Sequence, residues 1–177
     1  MIAGAEKLNE ETYTYYKNPF DTKILEGYGV TESSPAVSVN TLEDFKLGSV
    51  VPLFSEIEYK IEKIDGYSKG GLLFLKGKNI MLGYQVEKDI NKKDFHDGWY
   101  NTGDVAFVDN EGYLFILGRL KRFAKIAGEM ISLAQVENFP KKLWPENYSA
   151  VCNIKDVNKG ETLILLTDNK KADLFEL

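Results

Sequence analysis

The sequence has 177 residues, of which 44% are hydrophobic, and its formal net charge at pH 7 is −5. This length is enough for one domain, or for one domain with a small second lobe. Acidic and basic residues are interspersed, which argues against a nucleic acid as partner, because nucleic-acid binders usually carry a basic face. Cys152 is the single cysteine, so no internal disulfide forms, as expected for a cytoplasmic protein.

Two elements are predicted before residue 27. Residues 5–18 are polar and helix-compatible, and this helix should end before Pro19 because proline interrupts helical hydrogen bonding. A short strand at residues 24–25 then opens into a loop at residues 27–32, with the sequence GYGVTE. The glycines allow close approach to a flat ligand, the tyrosine offers a stacking face, and Glu32 offers hard oxygens for Mg²⁺. An ordinary turn explains this segment equally well.

A small antiparallel β-subdomain is predicted over residues 48–85. Apolar and polar residues alternate in this stretch, which is typical of half-buried strands. Gly66 and the pair at residues 70–71 should mark its turns.

The clearest hairpin lies at residues 105–117, with the turn DNEG. Its register places Asp104 and Arg119 together at the open end of the hairpin. A carboxylate on the tight turn GWYNTGD can accept two hydrogen bonds from a vicinal diol, such as the ribose hydroxyls. Two simpler explanations remain: Asp104 caps the turn, or it forms a plain surface salt bridge with Arg119.

The residue composition changes near residue 118, where a basic and partly alternating segment begins. We therefore predict two domains, at residues 1–118 and 119–177. The second should begin with a basic hairpin that turns near Gly128, although its bases also suit a solvated strand face. A helix follows from Ser132, which forms a capping box with Gln135, and Pro140 should end or kink it. Two strands, AVCNI and TLILLT, complete an α/β chain.

The segments GYGVTE, GWYNTGD and GRLKRFAKIAG, in this order, resemble the signature series of adenylate-forming enzymes. These enzymes include acyl-CoA synthetases, luciferases and peptide-synthetase adenylation domains. The longer segments GYGVTESSPAVSVNT, LKGKNIMLGY and GRLKRFAKIAGEMISL are similar to the acyl-acyl carrier protein synthetase region of the bifunctional 2-acylglycerophosphoethanolamine acyltransferases. The resemblance implies the C-terminal part of a large adenylation domain with a β-rich subdomain, followed by part of a small, mobile α+β lobe.

The resemblance also implies a site for ATP and Mg²⁺. Its nucleotide-side residues would be Gly27, Tyr28 and Gly29 along the adenine and acyl group, Thr31 at the phosphate, Glu32 at Mg²⁺, Asp104 at the ribose hydroxyls, and Arg119 at the ribose or phosphate. In the small lobe, Lys121 would be the hinge, Lys125 would swing in for thiolation, and Gly128 would lie beside the pantetheine arm. Thr31, Glu32 and Lys125 would be the catalytic residues.

The implied reaction joins a fatty acid to acyl carrier protein and supports reacylation of lysophosphatidylethanolamine. The carboxylate attacks the α-phosphate of ATP to give an acyl-adenylate and pyrophosphate, and the carrier thiol then displaces AMP. We expect the protein in the cytoplasm, with the full-length family protein at the inner face of the membrane. An acyl-CoA synthetase is the alternative within the same enzyme class.

The resemblance also implies that the chain is a fragment without activity of its own. The family's phosphate loop would precede residue 1, and its C-terminal catalytic lysine would follow residue 177. Two further alternatives are a non-catalytic remnant of a split gene, and one subunit of a split enzyme that a complementary polypeptide completes.

Overall fold

The computed structural model describes residues 1–50, 53–86 and 89–173, without the side chain of Asp89. The chain divides into two compact units. The first consists of Met1–Lys63 and Lys69–Leu117, and the second of Ile64–Ser68 and Gly118–Leu177. The two domains predicted at residues 1–118 and 119–177 stay a prediction, because compactness does not show that a unit folds independently. None of the helices in the described ranges is long and apolar enough to cross a membrane.

The first sheet of the first unit has three short strands. They are β1 (Ile2–Ala3), β2 (Leu25–Gly29) and β3 (Ala36–Val39). The central strand β2 pairs in parallel with β1 and antiparallel with β3. The prediction of a loop from residue 27 was wrong: residues 27–29 continue β2, because pairing of Gly27 with Val39 and of Tyr28 with Ser38 keeps them extended.

Helix α1 (Glu10–Phe20) lies between β1 and β2 in the chain. Asn9 caps it by accepting a hydrogen bond from the Thr12 amide at 2.6 Å. The prediction that the helix ends before Pro19 was wrong, because Pro19 lies in its last turn. A proline there removes only one helical hydrogen bond, and the helix stops at Asp21, which has φ 46°.

The second sheet of this unit has the order β10-β9-β5-β4, with β8 paired to β9. Its strands are β4 (Glu58–Ile64), β5 (Tyr67–Lys76), β8 (Phe95–His96), β9 (Trp99–Val108) and β10 (Leu114–Arg119). Strands β6 (Tyr84–Val86) and β7 (Asp89–Asn91) pair in a separate two-stranded sheet. The predicted hairpin at residues 105–117 is confirmed as β9 and β10. The Asp109 amide donates to the Tyr113 carbonyl at 3.0 Å across its turn.

The glycine pair at residues 70–71 lies inside β5 and not in a turn, so that prediction was wrong. A Cβ on Gly71 would lie 2.2 Å from the Glu62 carbonyl oxygen, and one on Gly70 would lie 2.7 Å from that of Ala106. Because they have no Cβ, these two glycines allow the neighbouring strands to approach β5 closely. Residues 48–50, predicted as extended, lie outside any strand, and residues 51–52 fall outside the described residues.

The second unit contains a four-stranded sheet and one helix. The sheet order is β12-β11-β14-β13. The elements are β11 (Phe123–Ile126), β12 (Glu129–Ser132), α2 (Leu133–Leu143), β13 (Ser149–Asp156) and β14 (Gly160–Thr167). The basic hairpin predicted to turn near Gly128 is confirmed as β11 and β12. Its turn contains Ala127 at φ 49° and Gly128 at φ 91°.

Ser132 caps α2 as predicted, since its hydroxyl accepts the Gln135 amide at 3.4 Å. Pro140 was predicted to end or kink the helix; it does not end it, because α2 continues to Leu143, and the kink stays a prediction. Pro140 is buried, and burial of its ring offsets the single lost hydrogen bond. The core beneath the helix consists of Ala124, Leu133 and Val151.

Candidate functional site

Asp104 lies within β9, and not on the tight turn that the sequence indicated. The β5–β9 pairing joins Leu72 to Val105 and Phe74 to Asn101. Between these pairs β5 contributes only residue 73, whereas β9 contributes residues 102–104, so β9 bulges. Bulges of this kind redirect a side chain within a sheet. Here the bulge leaves Asp104 buried, with 4% of its surface exposed.

Neighbouring side chains satisfy the backbone of the bulge. The Gly103 amide, at φ 71°, donates to Asn101 Oδ1 at 2.9 Å. The Asp104 amide donates to Thr102 Oγ1 at 3.0 Å, and the Thr102 hydroxyl donates to the Leu73 carbonyl at 2.8 Å. Asn101 and Thr102 therefore perform the local capping that the sequence left open as a role for Asp104.

Tyr28 and Asp104 meet although 76 positions separate them in the sequence. The Tyr28 hydroxyl donates to Asp104 Oδ2 at 2.5 Å. This short contact is typical of a hydrogen bond to a carboxylate. It links β2 of the three-stranded sheet to β9 of the five-stranded sheet within the first unit. The sequence placed both residues at the nucleotide but carried no signal for their direct contact.

The segment after β2 forms a 3-10 turn at Thr31–Ser33. Thr31 is exposed and Glu32 is partly buried. The Tyr84 hydroxyl donates to the Glu32 carboxylate, and this hydrogen bond raises the pKa of Tyr84 above its usual range. A Cβ on Gly29 would lie 2.2 Å from the carbonyl oxygen of Pro35, so only glycine permits the close chain reversal here.

Glu32 is the residue predicted to bind Mg²⁺, and this binding stays a prediction. The described residues contain no group of three or more His, Cys, Asp or Glu side chains that could hold a metal. Mg²⁺ commonly binds through one or two carboxylates together with substrate phosphates. Glu32 would supply such a carboxylate.

The remaining predicted residues lie in the second unit. The structure places Arg119 at the end of β10 and Lys121 in a 3-10 turn at Leu120–Arg122, and both are exposed. The convergence of Arg119 with Asp104 stays a prediction.

Arg122 joins the turn that contains Lys121 to α2 and β13. Its Nη2 donates to both carboxylate oxygens of Glu137 at 2.7 Å, and its Nη1 donates to the Val151 carbonyl at 3.3 Å. The Val151 amide donates to Glu137 at 2.8 Å. Burial by itself would raise the pKa of Glu137, but the hydrogen bonds from Arg122 and Val151 outweigh it and hold that pKa below its usual range.

Lys125 and Gly128 lie together at an open cleft of about 620 Å³. The cleft's other lining residues come from the β13–β14 turn and its flanks: Lys155, Asp156, Val157, Lys159, Gly160 and Glu161. A Cβ on Gly128 would have no atom within 4 Å, so the space beside Gly128 is open. The cleft is therefore accessible to an extended ligand.

Comparison with known proteins gives these features a context. The family model "AMP-binding enzyme" matches residues 1–85. A 2-succinylbenzoate–CoA ligase from Bacillus velezensis is 39% identical over 122 residues, which cover 64% of this chain and 24% of that protein. A long-chain-fatty-acid–CoA ligase from Salmonella typhimurium is 31% identical over 158 residues, which cover 86% and 28%. The chain spans about a quarter of the length of the curated relatives it matches.

A solved structure agrees with these relatives. The O-succinylbenzoate coenzyme A synthetase from Bacillus subtilis, in complex with AMP, matches with a TM-score of 0.78 and 27% identity. The match covers 99% of this chain and 37% of the synthetase. The fold is therefore the predicted mixed α/β fold of the C-terminal part of an adenylate-forming enzyme domain. By sequence, the chain is a relative of the AMP-binding, adenylate-forming enzymes.

Proposed function

We propose that this chain provides the ribose-recognition and thiolation elements of an AMP-forming acid–thiol ligase. The observation that carries the proposal is the buried carboxylate of Asp104, which a β-bulge and the Tyr28 hydroxyl hold in place. The enzyme would convert a carboxylic acid and ATP to an acyl-adenylate and pyrophosphate. A thiol would then displace AMP and form the thioester.

In the first step, the first unit binds the nucleotide. Asp104 accepts hydrogen bonds from the ribose hydroxyls. The ring of Tyr28, which lies between Gly27 and Gly29 in the sequence, lies along the adenine. The exposed Thr31 hydroxyl donates to a phosphate oxygen, and the Glu32 carboxylate would hold Mg²⁺. When bound, Mg²⁺ stabilises the negative charge that develops on the phosphate oxygens. Arg119 adds a cationic donor to the ribose or phosphate.

In the second step, the second unit presents its hairpin to the acyl-adenylate and the incoming thiol. Lys121 is the hinge residue, and the Arg122–Glu137 pair makes the adjoining segment rigid. Lys125 contributes a positive charge near the leaving AMP. Gly128 leaves room for the pantetheine arm, which is consistent with its open surroundings.

For the substrates, we propose a fatty acid and acyl carrier protein, with the product used for lysophosphatidylethanolamine reacylation. The fatty acid is supported by the similarity to a long-chain-fatty-acid–CoA ligase, and the carrier protein by the segment GRLKRFAKIAGEMISL. Coenzyme A is the competing acceptor, because the relatives named above are CoA ligases. Thioester formation with purified holo-carrier protein and with coenzyme A, in the presence of synthetic acyl-adenylate, decides between them.

Equilibrium dialysis with AMP and GMP tests the nucleotide site in the chain itself. We expect AMP to bind and GMP to bind more weakly, and we expect Asp104→Asn to weaken AMP binding. Asp44→Asn is the matched control, because Asp44 also accepts a tyrosine hydroxyl, from Tyr113 at 2.5 Å. An AMP affinity that Asp104→Asn leaves unchanged would contradict the proposed function.

Three predictions about the protein in the cell remain proposals. They are a cytoplasmic location, with the full-length protein at the inner face of the membrane, lack of activity of this chain alone, and one of two alternatives for that inactivity, completion by a second polypeptide or origin as a non-catalytic remnant of a split gene. ATP–pyrophosphate exchange with a fatty acid present tests the second directly. Turnover by the chain alone would contradict it.

A further inference from the structure

We infer that the Tyr28 hydroxyl positions the Asp104 carboxylate and thereby sets the preference of the site for a nucleotide with ribose hydroxyls. The inference rests on the proposed function. It gives Tyr28 a role beyond stacking on adenine, since the stacking face is the ring and the positioning group is the hydroxyl. The two roles can be separated experimentally.

The Asp104 carboxylate is a group whose orientation matters. It is 4% exposed, and a buried carboxylate requires hydrogen-bond donors. Rotation of a carboxylate about its last side-chain bond is soft, with broad energy wells. The donation from Tyr28 at 2.5 Å to Oδ2 restrains this rotation. It occupies one of the carboxylate's approximately four acceptor positions.

The hydroxyl of Tyr28 is itself held in a fixed position. Tyr28 pairs with Ser38 in the sheet, and its ring packs against the hydrophobic core of the first unit. The backbone on both sides is confined: a Cβ would lie 3.2 Å from the Ser38 carbonyl oxygen at Gly27, and 2.2 Å from that of Pro35 at Gly29. A donor on so constrained a strand can orient its acceptor without a large entropy cost.

The bond is not required to hold the two sheets of the first unit together. Buried residues of both sheets share one core, which includes Val37 of β3, Leu73 and Leu75 of β5, and Ala106 of β9. These four side chains are fully buried. The positioning role therefore predicts a change in ligand selectivity on loss of the hydroxyl, whereas a purely structural role predicts a uniform loss of binding.

The decisive variant is Tyr28→Phe, which keeps the ring and removes only the hydroxyl. Tyr113→Phe is the matched control, because it removes an equally short tyrosine–aspartate bond, to Asp44, in the same unit. Affinities for AMP and 2′,3′-dideoxy-AMP are measured for the full chain and both variants. For Tyr28→Phe we expect about a tenfold loss for AMP and less than about a twofold loss for the dideoxy nucleotide. Tyr113→Phe should change neither.

Equal losses for both nucleotides, or no loss for AMP, would overturn the inference. A second measurement does not depend on nucleotide binding. Crystal structures of the wild type and of Tyr28→Phe should show that the Asp104 carboxylate turns or adopts two orientations in the variant. An unchanged orientation would also overturn the inference. A wild-type chain that binds no AMP would instead overturn the proposed function, while the crystal structures still decide whether Tyr28 positions Asp104.

Discussion

The two units hold their candidate functional groups in different ways. In the first, Asp104 and Tyr28 lie on strands, one buried and one partly buried, and a hydrogen bond joins them. In the second, Lys121, Lys125 and Gly128 are exposed, in or beside turns. Groups that recognise an invariant ligand benefit from such preorganisation. Groups that act at only one step of a reaction can remain on the surface of a rigid frame.

The frame of the second unit lies next to its exposed groups. Arg122 follows Lys121 directly and binds Glu137 of α2 and the Val151 carbonyl of β13. In the first unit the hydrogen bond thus joins two candidate site residues to each other, Tyr28 and Asp104. In the second unit the hydrogen bonds hold Arg122, a neighbour of the candidate site residue Lys121. Substitution of Asp104 should therefore disturb ligand binding directly, whereas substitution of Glu137 should change stability without changing nucleotide binding.

Tryptophan fluorescence can follow each unit separately. The sequence has two tryptophans, Trp99 in the first unit and Trp144 in the second. Unfolding of the first unit is followed in a Trp144→Phe background, and unfolding of the second in a Trp99→Phe background. Each substitution can then be assigned to the unit that it affects.

We expect the largest effect from Gly29→Ala in the first unit. The added Cβ would lie 2.2 Å from the Pro35 carbonyl oxygen, and backbone cannot move away as a side chain would. The free energy of unfolding should fall by about 3 kcal/mol, measured by urea denaturation with Trp99 fluorescence. Gly4→Ala is the control, because its Cβ would lie 3.4 Å from the nearest atom. Equal effects of the two variants would contradict the close approach at Gly29.

Asp104→Asn should come next, with an effect on binding. Loss of a charged hydrogen-bond acceptor costs about 1.5–3 kcal/mol, so the affinity for AMP should fall by roughly 10- to 150-fold. Isothermal titration calorimetry with AMP measures it. An equal fall for an adenine compound without ribose would assign the loss to the fold and not to ribose recognition.

In the second unit, Glu137→Gln should destabilise by about 1–2 kcal/mol near pH 7, followed through Trp144. Since the folded-state pKa of Glu137 is lowered, its stabilising contribution is fully present above the pKa of the unfolded state, about 4.3 for Glu. It is lost as the pH falls through the lower folded-state pKa. The difference between wild type and variant should therefore shrink as the pH falls below the unfolded-state pKa. A difference that stays constant with pH would contradict the contribution of the ionised carboxylate, and AMP affinity should not change.

The smallest effect is expected from Gly128→Ala. The added Cβ meets no atom within 4 Å, so only the backbone conformation, at φ 91°, opposes the substitution. The cost should be about 1 kcal/mol, again followed through Trp144. A cost as large as that of Gly29→Ala would show that close packing, and not conformation alone, governs this turn. Thioester formation should nevertheless fall, because the methyl group projects into the open cleft.

The elements that the sequence predicted correctly are those whose signals are local. The turn of the β9–β10 hairpin closes between Asp109 and Tyr113. Ser132 caps α2 through the amide three positions later, and the turn at residues 127–128 contains a glycine. Each depends on hydrogen bonds or backbone angles within about four residues, and such preferences can be read directly from residue types.

Both helices continue past the proline at which the sequence predicted an end, and the cause is the same in each. Local preference disfavours Pro19 and Pro140 within a helix, yet both helices contain them. Each proline lies in or near the last turn, where one missing hydrogen bond costs least. Burial of Pro140 also stabilises the helix through tertiary packing, which helix propensity does not include.

By itself, the sequence determined the hairpins, the helix cap and, through its ordered segments, the resemblance to adenylate-forming enzymes. Only the tertiary structure decided how Asp104 is presented. The bulge at residues 102–104 arises from register against β5, and the Tyr28–Asp104 bond arises because two sheets share one core. Pairings between residues 76 positions apart depend on how whole strands pack, and no short segment of sequence encodes that packing.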